Sequence, residues 1–415
     1  MGEMSKAEEV IIIGGGASGQ AAALSLRYFG FQDPILILEK ENNCGKKIRA
    51  SGNGRCNLSH HPIREEDYHS HNPDLWHELF HSMPVGRAND FFQQLSLPVK
   101  WDSEGRAYPI SEEAAIVQEW LLDSLEKANV KVSTDSEVRS IRRVGERFEL
   151  ILENGQRYFA KQVIIATGSQ AAPHLTGCDS TKNLARELNL KYQLEVPTLV
   201  ALLMEDKQLC RKASGARFKG RAKWRKEQVE GEFLFADDGL SGIAAMELSF
   251  HLQSLPGTIS HKGKHGSYVF AKPEEIQVDF VSIYEEKELS KILENSRKNN
   301  PEADALRGIL HSRILRGLEA QLGKKYPRTV EDCLNLLKHY KLRISGLRGF
   351  PAAQAAYGGI ALSECNFDFS AKRIPGLWFC GEALDVVGNT GGYNFAFAFA
   401  SASILGEALA KKSRA

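Results

Sequence analysis

Three glycines and one acid have the residue types and the spacing that bind a dinucleotide: Gly14, Gly16, Gly19 and Glu39. Gly14 permits a tight turn, Gly16 lets a pyrophosphate approach the backbone, and Gly19 lets a helix pack closely on a strand. Glu39 can accept hydrogen bonds from a ribose diol, and its charge disfavours a 2′-phosphate. This pattern predicts a dinucleotide-binding site.

The sequence around these residues supplies the elements that must position them. Residues 10–13 predict a buried strand, residues 20–28 are rich in alanine and leucine and predict a helix, and residues 35–38 predict a second strand. The N-terminus of this helix directs free N–H groups and a positive dipole end at the phosphates, and Ala17 and Ser18 in the turn before it are predicted to bind the dinucleotide. A glycine-rich turn used only for packing is the alternative interpretation.

Composition sets the broad class of the protein. A chain of 415 residues predicts two or three domains, and 42% hydrophobic with 25% charged residues is ordinary for a soluble protein. The net charge of +1 implies no polyanionic partner for the chain as a whole. No apolar stretch is long enough to span a membrane, and the first nine residues lack a signal-peptide core, so we expect a cytoplasmic protein without a membrane partner.

The seven cysteines are scattered and lack CxxC spacing. This argues against a zinc ribbon, an iron–sulfur site, a secreted disulfide framework and a disulfide reductase.

Three further segments indicate FAD rather than NAD. Residues 45–57 form a loop rich in glycine, basic and amide groups that can fold over a dinucleotide, although a long surface loop is the alternative. Residues 162–169 predict a strand that ends in a small-residue turn, as found beneath the adenosine half of FAD. Residues 374–394 predict a strand, a glycine–acid pair and a glycine-rich turn, followed by a helix over about 395–411.

This last segment is typical of a ribityl and isoalloxazine site. Glu382 or Asp385 can bind ribityl hydroxyls, and the helix N-terminus can face the pyrimidine edge of the ring. The predicted cofactor-binding residues beyond those named above are Lys40, Lys46, Lys47, Ser51, Gly52, Gly54, Arg55, Cys56, Asn57, Val138, Ala166, Thr167, Gly168, Gly381, Glu382, Asp385, Gly391, Gly392, Tyr393 and Asn394.

Three segments carry a resemblance to one family: KKIRASGNGRCNLS from residue 46, GRAYPIS from residue 105, and RIPGLWFCGEALDVVGNTGGYNFAFAFASA from residue 373. In these segments the chain resembles the YhiN/BaiN-type (BaiN/RdsA) FAD-dependent oxidoreductases. The resemblance extends over nearly the whole length of the chain. The resemblance implies an α/β fold in which a discontinuous Rossmann-like FAD/NAD(P)-binding domain carries an inserted β-barrel, itself interrupted by a small helical domain. We place the FAD domain at residues 1–196 and 349–415, the barrel at 197–280 and 338–348, and the helical insert at 281–337.

The resemblance also implies a reaction. A nicotinamide donor, NAD(P)H, would visit transiently and pass a hydride to the flavin, which would reduce a conjugated C=C bond. A proton donor must complete the reduction. Cys56, Asn57 and Tyr393 are the candidate donors, because the family pattern places their segments by the ring. We predict Arg55 and Asn57 as orienting groups and Cys56 as the acid, with a small buried packing residue as the alternative for Cys56.

The resemblance implies two alternative kinds of substrate, enones of small polycyclic molecules and a uracil of ribosomal RNA. A basic stripe on a predicted strand favours RNA, since period two places five cations on one face. These are Arg217, Lys219, Arg221, Lys223 and Arg225. The alternative is a barrel face neutralised by acids such as Glu227, Glu230 and Glu232. A non-catalytic FAD- or RNA-binding protein is the hypothesis from another class.

One motif points elsewhere. His77-Glu78-Leu79-Phe80-His81 matches the HExxH zincin pattern on a short helix predicted over residues 74–83. No clear third ligand follows it, so we predict no metal site. The six histidines between residues 60 and 81 are interpreted as a polar surface segment.

Overall fold

The computed structural model describes residues 6–83, 86–262, 266–300 and 304–414. Its contacts divide the chain into two units, Met1–Val196 with Ala355–Ala415, and Pro197–Gln354. The second boundary lies at 354/355 rather than at 348/349, and the helices of residues 281–337 belong to the same unit as the barrel. They do so because they pack on it, α10 (Ser312–Leu322) on α7 (Lys207–Ala213) and α11 (Val330–His339) on β17 (Ser267–Asp279).

The first unit is built on a sheet with the strand order β7-β2-β1-β10-β9-β8, and β20 also pairs with β10. Strands β1, β2, β7, β10 and β20 are parallel, whereas β8 and β9 continue the sheet as an antiparallel hairpin with β10. The bounds are β1 Lys6–Ile13, β2 Ile35–Leu38, β7 Lys131–Ser133, β8 Val138–Val144, β9 Arg147–Leu152, β10 Arg157–Ile165 and β20 Leu377–Phe379.

Short strands and helices complete the first unit. The strands are β3 Ser59–His60, β4 Tyr68–His69, β5 Val99–Trp101, β6 Arg106–Pro109, β11 Tyr192–Thr198, β19 Ala355–Ile360 and β21 Val387–Gly388. The helices are α1 Ala17–Tyr28, α2 Lys46–Ala50, α3 Pro73–Ser82, α4 Arg87–Gln94, α5 Ala114–Lys127, α6 Ser180–Glu187 and α12 Gly391–Lys412. Strand β21 pairs with β4, and β11 pairs with β19, so the C-terminal segment is paired with the N-terminal part of the unit.

The core explains why the central strands carry continuous apolar runs. Residues 10–13 and 35–38 are buried on both faces of the sheet, as expected for parallel strands covered by helices. Helices α1 and α12 pack against each other, and Gly406 permits their close approach because a Cβ there would lie 2.6 Å from Cβ of Ser25. The two ends of the chain therefore share one core.

The second unit is a closed antiparallel barrel of six strands, β13-β14-β15-β12-β18-β17, closed by the pairing of β13 with β17; β16 is added on β17. The remaining bounds are β12 Leu202–Met204, β13 Arg217–Trp224, β14 Glu227–Ala236, β15 Gly239–Ser241, β16 Gly257–Ser260, β18 Tyr340–Arg348, α8 Ile243–Leu252 and α9 Glu286–Asn299. Along the described residues, no helix is both long and apolar enough to cross a membrane.

Strand β13 shows the predicted period of two. Phe218, Ala222 and Trp224 are buried in the barrel, while the cations alternate outward. The outward face carries charges of both signs, because Glu232 and Glu230 of β14 form ion pairs with Arg217 and Arg221. Arg225 lies 3.8 Å from Glu274.

Candidate active site

The first glycine-rich turn has the geometry that its sequence predicts. Gly14 adopts φ +107° directly against the backbone of Ala166, a conformation that favours glycine. Gly16 is the N-cap of α1, and a Cβ built there would meet nothing within 4 Å. Helix α1 begins at Ala17, three residues earlier than predicted, so Ala17 and Ser18 form its first turn. The open side of Gly16 and the free N–H groups of this turn can accommodate a pyrophosphate.

Glu39 is buried behind this turn. One carboxylate oxygen accepts a hydrogen bond from the N–H of Gly15 at 2.6 Å and the other from the N–H of Glu41 at 2.8 Å. Burial raises the pKa of Glu39, and these two hydrogen bonds oppose the rise. The segment before Val138 also lies here, since the N–H of Ser136 donates to the carbonyl of Glu39 at 2.8 Å.

The loop at residues 45–57 contains α2 and then a run of left-handed residues. Gly52, Asn53, Gly54 and Cys56 have φ between 54° and 84°, so the chain turns sharply beside α2. Ser51 caps the turn locally by donating to the carbonyl of Ile48 at 2.7 Å.

The basic residues of this region pair with acids. Lys40 and Lys46 lie 3.5 and 2.7 Å from Glu41. Lys47 lies 3.2 Å from Glu382, 335 residues further along the chain.

The three predicted flavin segments meet in the first unit. Besides the Lys47–Glu382 pair, a Cβ on Gly381 would lie 2.6 Å from Oγ of Ser18, and a Cβ on Gly392 would lie 2.6 Å from Nδ2 of Asn57. The end of β10 adjoins them, because Ser169 donates to Glu382 at 3.4 Å. The meeting of distant segments that the sequence predicts is thus observed.

The turn that follows β10 is held in place by hydrogen bonds. Thr181 donates to the carbonyl of Gly168 at 2.6 Å and lies 2.5 Å from the hydroxyl of Thr167. Ala166 continues the sheet by donating its N–H to Ile13. The turn that is expected beneath the adenosine is therefore held by one side chain of α6, Thr181.

Helix α12 begins at Gly391 instead of near residue 395, so Gly391, Gly392, Tyr393 and Asn394 form its first turn. Asn394 keeps this turn closed, with Oδ1 accepting from the N–H of Gly388 and Nδ2 donating to the carbonyl of Thr390. The glycines predicted as a loop are the first residues of the helix, and Gly392 lies directly against the side chain of Asn57.

The predicted catalytic residues differ in exposure. Cys56 is fully buried, and burial raises the pKa of its thiol to about 11. Arg55 lies 4.8 Å above the ring of Tyr108 and 3.8 Å from Glu112, with its side chain half exposed. Oδ1 of Asn57 is buried and has no hydrogen-bond partner among the described residues.

An acid–histidine pair that the sequence analysis did not identify lies near the start of α12. Asp385, 1% exposed, accepts from Nδ1 of His71 at 2.8 Å, from the N–H of His71 at 3.0 Å and from Ser70 Oγ at 3.2 Å. The ring of His71 stacks on Tyr357 with centroids 4.0 Å apart. Both oxygens of Asp385 are thus engaged by residues 70–71, while Glu382 is held by Lys47 and Ser169.

The interpretation of residues 60–81 as a purely polar surface segment is wrong in part. His71 is bound to Asp385, and His60 stacks on Tyr393 at 4.5 Å with its Nδ1 3.0 Å from the tyrosine hydroxyl. Burial lowers the pKa of His60. The signal available in the sequence was the density of histidines. The pairing of β4 with β21 brings His71 to Asp385, and the packing of β3 on α12 brings His60 to Tyr393.

A second buried acid was also missed. Glu195 on β11 accepts from Tyr192 at 2.5 Å and from the N–H of Gln170 at 2.7 Å. Burial raises the pKa of Glu195 to about 7, and the neighbouring charge of Glu382 adds to that rise. Single acids on strands carry no sequence pattern, so nothing in the chain distinguished Glu195.

These residues fit FAD. The open Gly16 turn suits a pyrophosphate, and two buried polar atoms near the start of α12, Oδ1 of Asn57 and Oγ1 of Thr390, have no hydrogen-bond partner among the described residues. Buried polar atoms are usually paired with protein, a bound group or ordered water, so these two atoms are available for contacts with a cofactor.

The fold and site define an FAD-dependent oxidoreductase of the Rossmann class. The family model described as "HI0933-like protein Rossmann domain" matches residues 8–408, and the chain belongs to this family. It is 32% identical to a 3-dehydro-bile acid delta(4,6)-reductase of Clostridium scindens, over 97% of this chain and 98% of that protein. It is 26% identical to a ribosomal RNA dihydrouridine synthase of Escherichia coli, over 95% and 96%.

Among solved structures, a 3-ketosteroid-delta4-(5alpha)-dehydrogenase from Rhodococcus jostii is similar with a TM-score of 0.53. The two are 13% identical, and the match covers 98% of each chain. At this identity the similarity concerns the fold.

Proposed function

We propose that this protein uses NAD(P)H to reduce a conjugated C=C bond. The observation that carries the proposal is the Asp385–His71 pair, an oriented histidine beside the segments that fit FAD. Two relatives have names consistent with additions to a double bond, a bile acid reductase and a dihydrouridine synthase.

Reduction of a conjugated C=C bond adds a hydride to one carbon and a proton to the other. Bound FAD would supply the hydride, with NAD(P)H as the source of both electrons. Gly16 and the first turn of α1 would hold its pyrophosphate, Glu39 its ribose, and Lys47, Glu382 and Asn57 its ribityl and ring end. The chain must itself supply the proton.

His71 is the proton donor in this proposal. A carboxylate partner at Nδ1 requires that nitrogen to carry a hydrogen, so proton exchange occurs at Nε2. Asp385 is buried and holds the ring from behind, while the side chain of His71 is one-third exposed and can be reprotonated from water. Cys56 stays the candidate drawn from the family resemblance, but its complete burial separates it from solvent protons.

The first experiment tests redox function against a non-catalytic FAD- or RNA-binding protein. Purified protein loaded with FAD is mixed anaerobically with NADH or NADPH while the flavin absorbance is followed. We expect rapid bleaching by at least one donor. Protein that binds FAD but is bleached by neither would contradict the proposal.

The substrate is proposed from two sets of observations. Lys219 and Lys223 project outward from β13 and, unlike the arginines of this strand, have no ion-pair partner among the described residues. Their charges favour binding of a phosphate backbone, and therefore an RNA substrate. The reacting group would then be a uracil of ribosomal RNA, which must be unstacked to react. The higher identity to the bile acid reductase favours a small-molecule enone. The glutamate partners of Arg217 and Arg221 reduce the positive field of the stripe, so Lys219 and Lys223 would supply most of its attraction to a phosphate backbone.

A second experiment separates these substrates. Mass spectrometry of ribosomal RNA from cells that lack the protein is compared with RNA from complemented cells, and a gain of two hydrogens on one uridine supports the RNA substrate. Steroid-like enones are assayed in parallel for NAD(P)H-dependent loss of their conjugated absorbance. The charge reversals Lys219→Glu and Lys223→Glu should weaken RNA binding at every sequence equally; unchanged binding at low salt would show that the stripe does not contact RNA.

A further inference from the structure

Three side chains of the first unit come together on the surface of α3. His77 and His81 lie four residues apart and therefore on the same face of this helix. Glu65 approaches both, with its oxygens 2.9 and 3.0 Å from Nδ1 of His77 and 3.1 Å from Nε2 of His81. The three potential ligand atoms all lie within 4.8 Å of one another.

The backbone that carries these side chains is anchored in the core. Glu65 begins a one-turn 3-10 helix in which Asp67 accepts the N–H of Arg64 at 3.0 Å. Trp76, 3% exposed, donates from Nε1 to the carbonyl of Glu65 at 3.4 Å and thereby ties that turn to α3. The same indole packs on Tyr68 with centroids 5.3 Å apart. The three side chains are thus presented by two elements that are already fixed to each other.

Two imidazole nitrogens and one carboxylate oxygen form a ligand set suited to zinc. Zinc bonds to such atoms are about 2.0–2.2 Å long, so neighbouring ligand atoms in a tetrahedral site lie roughly 3.3 Å apart. The Glu65–His77 and Glu65–His81 separations are close to that value. The histidine side chains are 60% exposed, which leaves them free to adjust and leaves a fourth position open to water.

We propose that Glu65, His77 and His81 bind one Zn²⁺ ion. The site differs from a zincin site in its third ligand, which precedes the motif in the sequence; Glu78, the glutamate of the HExxH pattern, lies outside the cluster. The bound ion joins the residue 65–67 turn to α3 on either side of the segment that carries His71. Its role is therefore to restrain the segment, and no catalytic step is assigned to it.

The competing explanation is a plain surface ion pair between Glu65 and protonated histidines. The two explanations require opposite protonation states of the histidines. Zinc binds unprotonated imidazole, whereas an ion pair with Glu65 requires the protonated form. Zinc affinity should therefore increase as the pH rises from mildly acidic to neutral.

The test uses the full chain with FAD, without a purification tag and after treatment with a chelator. Zn²⁺ is titrated calorimetrically at neutral pH into the wild type, into His77→Ala, His81→Ala and Glu65→Gln, and into His174→Ala as a control at another exposed histidine. We expect one ion per chain for the wild type and the control. Each ligand variant should bind at least 10- to 100-fold more weakly, since even outer-shell changes cost that much.

Circular dichroism and flavin content establish that each variant is folded. Absence of zinc binding to the wild type at micromolar concentrations would overturn the proposal. So would unchanged affinity in the His77→Ala/His81→Ala double variant, because the ion would then lie elsewhere.

Discussion

Asp385 and Glu65 are both carboxylates that bind histidine rings, yet their surroundings differ. Asp385 is 1% exposed and accepts three hydrogen bonds from two consecutive residues, Ser70 and His71. Glu65 is one-third exposed and faces two largely exposed rings of one helix. The buried acid fixes one ring in one orientation, whereas the exposed acid leaves its partners free to turn towards an ion.

The difference shows that burial decides what the same pair of residue types can do. Removing one partner of a buried charged pair leaves the other without a counterpart, whereas an exposed pair exchanges its contacts for water. The following predictions test this difference from the largest expected effect to the smallest.

Replacing His71 should have the largest effect, on activity. In His71→Ala and in Asp385→Asn we expect kcat to fall by about 10²–10⁴-fold with a smaller change in KM, because general acid catalysis is worth this much. The measurement is steady-state reduction of an accepted enone or uracil, together with the pH profile of kcat. His174→Ala is the matched control. Equal kcat in wild type and His71→Ala would exclude His71 as the donor.

Glu195 should control stability at acidic to neutral pH. The pKa of Glu195 in the folded protein, about 7, exceeds the ordinary value of 4.5. The contribution of Glu195 to the free energy of unfolding is therefore fully present below pH 4.5 and is lost as the pH rises through 7. The shift corresponds to roughly 3 kcal/mol. Glu195→Gln, which remains neutral, should remove this decline; the measurement is denaturant unfolding of both proteins across this range. Parallel curves for the two proteins would assign the decline to other groups.

Zinc bound by Glu65, His77 and His81 should stabilise the first unit. At a zinc concentration about 100-fold above the dissociation constant, the free energy of unfolding should rise by about 2.7 kcal/mol. Thermal unfolding with and without zinc measures this gain, which should be absent from His77→Ala/His81→Ala. An equal gain in that variant would show that the ion acts at another place.

The smallest effect is expected for an exposed pair of the barrel, Arg221 with Glu230, which lie 2.9 Å apart. A double-mutant cycle with alanine at both positions should give a coupling free energy of at most about 1 kcal/mol, since solvent screens exposed charges. A coupling several times larger would show that exposure alone does not distinguish the pairs of this protein.

Local sequence determined the parts of the fold that depend on near neighbours. The turn at Gly14–Gly19, the buried strands over residues 10–13 and 35–38 and the alternation along β13 depend on backbone freedom and on periodicity, and each is observed. The predicted start of α12, near residue 395, is too late, because the glycines at 391 and 392 are poor helix formers in isolation. In the folded chain this turn is closed by the side chain of Asn394.

The meeting of the three flavin segments could be predicted because each segment carries a glycine-containing pattern of its own: basic and amide residues at 45–57, a strand with a small-residue turn at 162–169, and a glycine–acid pair at 381–382. His71, Glu195 and Glu65 carry no such signal. His71 meets Asp385, Glu195 meets Gln170 and Tyr192, and Glu65 meets His77 and His81. Of these partners, only Tyr192 lies within four residues along the chain. Tertiary structure alone decided which acids are buried and which histidines they meet, because burial and contact between distant residues depend on strand pairing and packing that no local pattern encodes.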